Sequence, residues 1–364
     1  MLMWCHTVAL ASPPRDTARE SVSEPAAETS RASARAFARS PLTQETRVRP
    51  ASVQAAPKQA LAEGHGLVRE TFLRDLAWQI ALDRVGFSPG VIDGRIGPKT
   101  RYATAELQRV RGLPRTGELD EATARALGVD PASAITTYRV TQADADSVDP
   151  PPAEWIQKSR KRRLGFESLD AAIAERFHCT RRLLAALNPG LSLPRLSPGD
   201  TLRVPAVATE SAGFPRAESV EIDLPLKVIR VLDRDQRLVA LLHCSIARDK
   251  EKRPRGGTRV VEIAVDPTYT FDPAMWPEVK GVHRKLTIPP GPRNPVGVFW
   301  IGLSLPGYGI HGTPQPELIG KTGSHGCIRL TNWDAVRLGR MVRVGTPVRF
   351  VAGEAEVALG SGSR

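Results

Sequence analysis

Aromatic residues are scarce in this chain, at 5% of its 364 residues, although apolar residues together reach 41%. The apolar share suffices for packed cores, and the length allows two or three domains. Long apolar runs are missing, so no transmembrane helix, which needs about 18 such residues, is expected. Cysteine is sparse and scattered. Cys5, Cys179, Cys244 and Cys327 form no CxxC pair and keep no regular spacing, so neither a zinc site nor a disulfide framework is expected. Cys179 and Cys244 lie in apolar surroundings and suit packing as small hydrophobes. No Walker or Rossmann glycine motif appears, and no metal or nucleotide cofactor is expected. Acidic residues are outnumbered: 51 Lys and Arg against 39 Asp and Glu leave a net charge of +12. A basic excess suits nucleic acid, an anionic membrane or an acidic polymer. No helix-turn-helix, zinc-finger or RNA-binding signature accompanies it, so nucleic acid is not an expected partner.

What is present divides the chain. Residues 1–65 are rich in Ala, Ser, Pro, Glu and Arg and lack apolar periodicity; such a composition cannot offset the entropy of ordering and predicts disorder. Within it, residues 1–11 end in Ala-Leu-Ala before Ser12, like a cleavage site, but the apolar part is short and no Lys or Arg precedes it, an incomplete export signal. Residues 66–130 turn helical. Phe72, Leu76, Ile80 and Val85 fit one helix face, and Gly86 stops it. A glycine-rich loop follows, with Asp93 suited to an Asx turn and Pro98 to a first helical turn. Asp120 is placed to cap a third short helix. Residues 136–206 read strand, helix, helix, strand, with Ser168 a candidate cap and residues 158–163 a solvated basic excursion. Residues 216–352 read as short strands: 220–224, 227–232, 238–245, 259–265, 298–303 and 348–351. The turn at 233–236 joins two of them, and a helix at 333–341 precedes the last. Two Pro-rich connections, 267–277 and 287–295, are long enough to wall a substrate site. Residues 353–364 are expected to form a disordered tail.

The densest chemistry lies between Tyr308 and Asn332: Tyr-Gly-Ile-His-Gly-Thr, a spacer, then Gly-Ser-His-Gly-Cys-Ile-Arg-Leu-Thr-Asn. Cys327 is the natural nucleophile. A free thiol with pKa about 8.5 is little ionised at neutral pH and needs a base or a cation beside it. His311 and His325 are both candidates for that base. His325 would share a strand face with Cys327; His311 is sixteen positions away, between Gly309 and Gly312, where the backbone is free to turn sharply. Gly326 leaves room for a substrate at backbone N–H groups, as an oxyanion site requires. Arg329 suits a carboxylate anchor or a surface ion pair. Ser324 and Tyr308 suit substrate bonding or loop support, His243 and His283 structure, and Asn332 the cap of the following helix.

This stretch resembles the catalytic motif of the YkuD-type L,D-transpeptidases: a histidine, a spacer of about fifteen residues, then Ser/Thr-His-Gly-Cys. Ile288-Pro289-Pro290-Gly291-Pro292 and Asn294-Pro295-Val296-Gly297 are similar to that family as well. The family often has Asn two residues after the cysteine, where this chain has Arg329. The helical region, with its Gly-Leu-Pro-x-Thr-Gly-x-Leu-Asp run, resembles a peptidoglycan-binding domain. The region 136–206, with Leu-Asn-Pro-Gly and Pro-Gly-Asp-x-Leu-x-Val-Pro, resembles a LysM module with stretched spacing. The resemblance implies a multidomain chain: a small all-α three-helix domain, a small α+β LysM-like module and a mainly β catalytic domain. It implies His311 as base, the Gly312 carbonyl orienting its ring, and His325 shaping the substrate side. The implied chemistry is metal-free acyl transfer through a thioester on peptidoglycan stem tetrapeptides, releasing D-Ala, in the periplasm or cell envelope, serving cell-wall biogenesis and cell shape. The acceptor stays open between a second stem amine, water (a carboxypeptidase or amidase) and a lysine of an outer-membrane lipoprotein. A non-catalytic wall-binding protein is the rival from another class. Two wall-binding modules ahead of such a domain would raise local substrate concentration without touching the chemistry.

Overall fold

The computed structural model describes residues 66–207, 213–276 and 278–351. The expectations for residues 1–65, including the candidate signal, and for 353–364 lie outside the described residues. The first helix, α1 (Gly66–Arg84), runs to the glycine stop: Gly86 has φ +84°, a conformation that costs a residue without Cβ little. The loop after it holds Asp93 in the expected Asx turn, its carboxylate accepting from Arg95 N at 2.9 Å. Helix α2 (Pro98–Val110) starts on its proline, and α3 (Glu121–Leu127) is capped by Asp120, which accepts from Thr123 N at 2.7 Å.

Strand β1 (Ile135–Arg139) pairs antiparallel with β2 (Thr201–Pro205), and between them lie α4 (Gln142–Asp146), α5 (Trp155–Ser159), α6 (Leu169–Arg176) and α7 (Arg181–Leu187). Ser168 holds the cap position of α6, but its hydroxyl makes no cap bond and is buried without a partner. None of the residues of the basic excursion, 158–163, is buried, as expected of a solvated run, but its apolar flanks are anchored. Trp155 stacks on Phe271 with centroids 4.2 Å apart, Leu164 is fully buried, and Leu164 N donates to Pro290 O at 2.8 Å. Apolar residues flanking the charges therefore dock the segment on the catalytic domain.

The rest is a curled eight-stranded sheet. In chain order its strands are β3 (Ser219–Asp223), β4 (Val228–Leu232), β5 (Leu238–His243), β6 (Gly256–Val265), β9 (Phe299–Leu303), β10 (Gly309–His311), β11 (Ile328–Arg329) and β12 (Pro347–Val351). A separate two-stranded hairpin, β7 (Tyr269–Phe271) with β8 (Leu286–Ile288), occupies the Pro-rich connections. The spatial order is β11-β10-β9-β6-β12-β3-β4-β5. The ends of this order meet: Ser245, just after β5, exchanges backbone bonds with Arg329 of β11 at 2.8 and 2.9 Å, and Ala247 bridges to Ser324. Earlier along the same edge, opposite β4, β5 is covered by the loop after α1, where Ser88 N donates to Leu241 O and Leu241 N to Gly86 O.

Helix α8 (Asn332–Met341) lies under β9 and β10, and its cap is Thr331, which accepts from Asp334 N at 3.2 Å. Asn332 is thus inside the helix and does not cap it. Its carboxamide turns away to bridge loops, and the hydroxyl one residue earlier has the geometry for the cap.

Helix α1 is buried on two sides. Leu76, Ala77 and Ile80 pack with Ile173, Phe177, Leu183 and Leu184 of the LysM-like region, whereas Trp78, Ala81 and Leu82 pack with Val228, Leu232, Leu238 and Leu241 of the sheet. A polar junction sits beside it. Arg337 of α8 donates to the Asp83 carboxylate at 3.2 Å and to Asp334 at 3.1 Å; His178 lies 3.1 Å from Asp83; Ser88 donates to Asp334 at 2.9 Å. Burial alone would raise the Asp83 carboxyl, but Arg337 and His178 hold it below its ordinary range. Such a buried pair is costly to half-remove, at about 3–5 kcal/mol.

Candidate active site

Strand alternation and register build the site. β10 runs parallel to β11 with Ile310 opposite Ile328 and His311 opposite Arg329. Ile310 and Ile328 enter the sheet's core. Alternation therefore sends His311, Cys327 and Arg329 to the other face. There they line one cavity of about 210 Å³ with Tyr308, Ser324, His325 and Gly326. Tyr269, Thr270, Asp272, Met275 and Trp276 of the hairpin region, with Pro295 and Val296, form its wall, as expected of the two Pro-rich connections.

His311 is buried, at 5% exposure. Its Nδ1 lies 2.6 Å from Gly312 O. A carbonyl can only accept, so Nδ1 carries the proton and Nε2 keeps a lone pair. Burial, opposed by that hydrogen bond, pushes the imidazole down to about 4, with Arg329 lowering it further. A neutral, oriented imidazole results at physiological pH. Trp300, opposite His311 on β9, stacks on it with centroids 5.7 Å apart.

The flanking glycines serve a different need from the one expected. Neither Gly309 nor Gly312 has positive φ among the described glycines. A Cβ on Gly309 would lie 2.4 Å from the Trp300 ring, and one on Gly312 would lie 2.1 Å from Asn332 Oδ1. Close packing excludes a side chain there; no sharp turn is involved.

Cys327 is half-buried, and its thiol donates to Gly307 O at 3.7 Å. Ser324 Oγ donates to Cys327 O at 2.5 Å and accepts from Gly326 N at 3.3 Å, holding the turn before the cysteine. Tyr308 OH donates to Lys252 O at 2.9 Å. Both hydroxyls thus support loops. A Cβ on Gly326 would meet nothing nearer than Tyr308 at 3.8 Å, so this side is open to a ligand. His325 is more exposed than His311 and lies against Trp276, with centroids 4.3 Å apart; burial lowers its pKa. Arg329 donates from Nη2 to Gly323 O, while its Nε is buried without a partner. Burial, with Arg248, lowers its pKa, and Cys327 opposes the shift. The site thus joins a thiol, a neutral imidazole and a cation in one cleft. Sequence reasoning missed Trp300 and Asn332 as its supports, and had Trp276 only as one position of a candidate wall; their apolar or amide side chains carry no signal of proximity. His243 is buried, with its pKa lowered to about 3, and Cys179 and Cys244 are buried with raised pKa values. None of the three lines the cavity. Among the described residues no His/Cys/Asp/Glu group could hold a metal ion, and no helix is long and apolar enough to cross a membrane.

Three family models match in chain order. They are "Putative peptidoglycan binding domain" over residues 76–127, "LysM domain" over 171–205 and "L,D-transpeptidase catalytic domain" over 217–350. A protein of Bacillus licheniformis named "Putative L,D-transpeptidase YkuD" is 32% identical over 182 residues, which is 50% of this chain and 92% of that protein. Its namesake from Bacillus subtilis is 49% identical over 57 residues, covering 16% of this chain and 35% of its own length. Among solved structures, the L,D-transpeptidase from Mycobacterium smegmatis superposes with a TM-score of 0.30 at 23% identity, covering 37% of this chain and 59% of that one. The two front models support peptidoglycan as the partner and suggest an envelope or extracellular location. With the catalytic-domain model spanning the curled sheet and the thiol–imidazole cleft, and one relative matched almost end to end, the chain belongs to the YkuD-type L,D-transpeptidase family.

Proposed function

We propose that the chain is a cysteine-dependent L,D-transpeptidase of the cell envelope that acts on peptidoglycan stem tetrapeptides. The observation that carries this reading is the buried His311, with Nδ1 tied to Gly312 O and its ring on the same face as Cys327. Neutral His311 accepts the thiol proton. The Cys327 thiolate then attacks the carbonyl at the L-centre of diaminopimelate. Gly326, with its open approach, lets the backbone N–H groups of this turn meet the developing oxyanion. The C–N bond to D-Ala breaks, the leaving amine takes the proton from His311, and a thioester remains. An amine of a second stem attacks next, losing its proton to His311 and restoring the thiol. Arg329, a cation in the cleft with an unsatisfied Nε, binds a substrate carboxylate, and His325 with Trp276 shapes the side on which peptide enters. The residue span of each module, 66–130, 136–206 and 216–352, follows from the composition breaks.

Incubation of the full chain with muropeptide tetrapeptides and mass spectrometry of the products tests the reaction. We expect D-Ala release and cross-linked dimers from the wild type, and neither from Cys327→Ala with an unchanged thermal melt. D-Ala release by purified Cys327→Ala would overturn the nucleophile. Release without dimers would transfer the acceptor role to water.

A further inference from the structure

We propose that the two front modules complete the active site: Glu175 from the LysM-like region and Lys99 from the peptidoglycan-binding region are positioning residues for the His311–Cys327 pair. The inference rests on the reading that His311 is the base for Cys327. Two independent sets of contacts support it, one where the loop joining those residues leaves His311 and one at its middle.

At the first end, the Gly312 carbonyl sets the imidazole by accepting from Nδ1. Gly312 is in turn seated on the Asn332 carboxamide, so closely that no Cβ fits. Asn332 is not free to choose its orientation. Its Oδ1 accepts from Val298 N at 3.3 Å, and its Nδ2 donates to Pro292 O at 3.3 Å and to Glu175 Oε1 at 2.7 Å. The carboxylate contact is the shortest of the three and is charge-assisted. Glu175 lies on α6, outside the catalytic sheet, with only 11% of its side chain exposed. Its other oxygen accepts from Arg293 at 2.8 Å, and Arg293 also binds Glu167 at 2.7 Å. The relay therefore runs from the LysM-like region through Asn332 and Gly312 to the ring of His311.

At the middle of the loop, Lys99 of α2 reaches across to donate to Ile319 O at 2.6 Å. Lys227 donates to the next carbonyl, Gly320 O, at 2.9 Å, and Gly320 N donates to Ser245 Oγ at 2.8 Å. Ile319 is buried, so its carbonyl depends on the protein for a donor. A loop pinned at this point carries Ser324 to Cys327 to a fixed place beside β10. Release of either pin loosens the thiol–imidazole distance, on which proton transfer depends steeply.

The test labels Cys327 with iodoacetamide across pH in the full chain, with Cys5, Cys179 and Cys244 replaced by alanine. His311→Ala is the reference for a lost base. Glu175→Ala and Lys99→Met should each move the labelling midpoint upward towards that reference and slow labelling at neutral pH by roughly tenfold, the scale of a sub-ångström misplacement. Glu175→Gln keeps an acceptor for Asn332, Lys99→Arg keeps a donor for Ile319 O, and both should restore the wild-type profile. A residue that merely holds the fold together would lower the melting temperature and leave the profile of the folded protein unmoved. The proposal is overturned if Glu175→Ala and Lys99→Met keep the wild-type profile while His311→Ala shifts it. An unmoved His311→Ala profile would instead remove the base assignment beneath it.

Discussion

His311 and His325 sit in one cleft, and their surroundings divide them. His311 is buried and tied by Nδ1; His325 is more exposed and leans on Trp276. The sign of the pH effect follows. With its pKa held near 4, His311 is neutral above that value and able to accept a proton, and it loses this capacity as pH falls through about 4. The acidic limb of kcat/KM should therefore lie well below the ordinary histidine range, and His311→Ala should slow acylation by about 10²–10⁴-fold. His325→Ala should retain more of the thiol's reactivity, because the thiolate fraction depends on the base and not on substrate contacts. A pH–rate profile with iodoacetamide labelling measures both; slower labelling in His325→Ala than in His311→Ala would exchange the roles. At this scale the motif was legible in the sequence, since Cys327, His311 and their glycines stand out as residues. The reason for the glycines was not legible. Their constraint comes from Trp300 and Asn332, neither adjacent in sequence, and only the folded packing brings those side chains within reach.

Periodicity located six of the eight strands of the sheet to within a few residues, because short apolar or alternating runs are a local property; β10 and β11, three and two residues long, were read only as part of the motif. The β7–β8 hairpin escaped that reading: each strand is three residues long and interrupted by turns, so no alternation builds up. Its bracing was equally invisible. Trp155 belongs to a segment whose Lys and Arg content suggests solvent, yet it stacks on Phe271 and lies 6.2 Å, ring to ring, from both Tyr269 and Trp276, two residues of the cavity wall. Trp155→Ala should loosen that wall. We expect KM for stem peptide to rise several-fold while iodoacetamide labelling of Cys327 stays at the wild-type rate, the signature of lost binding without lost chemistry. Steady-state kinetics beside a labelling time course measures it; an equal fall in both would place Trp155 in support of the thiol itself.

At the level of the whole molecule, composition and motif order suggested a detachable front half. Helix α1 argues otherwise. Its Trp78, Ala81 and Leu82 face the sheet while Leu76, Ala77 and Ile80 face the LysM-like region, and Asp83 at its end meets Arg337 and His178. A single-face reading of α1 was natural, since one stripe satisfies helical spacing; the second stripe has meaning only once a sheet lies beside it. The loop after α1 has a further consequence. By bonding to Leu241 it occupies the outer side of β5. Strands with one unpaired side recruit strands from other molecules, and the Leu238–His243 run is almost wholly apolar. A chain cut to begin at residue 206 would bare this edge together with the apolar patch that covers Val228 and Leu241. We expect it to self-associate on concentration, by light scattering and by thioflavin binding, under conditions where the full chain stays monodisperse. A truncated protein that stayed monodisperse would mean that β5 needs no cover. Self-association of the cut chain would make the first module a guard against polymerisation, a duty independent of any grip on the wall.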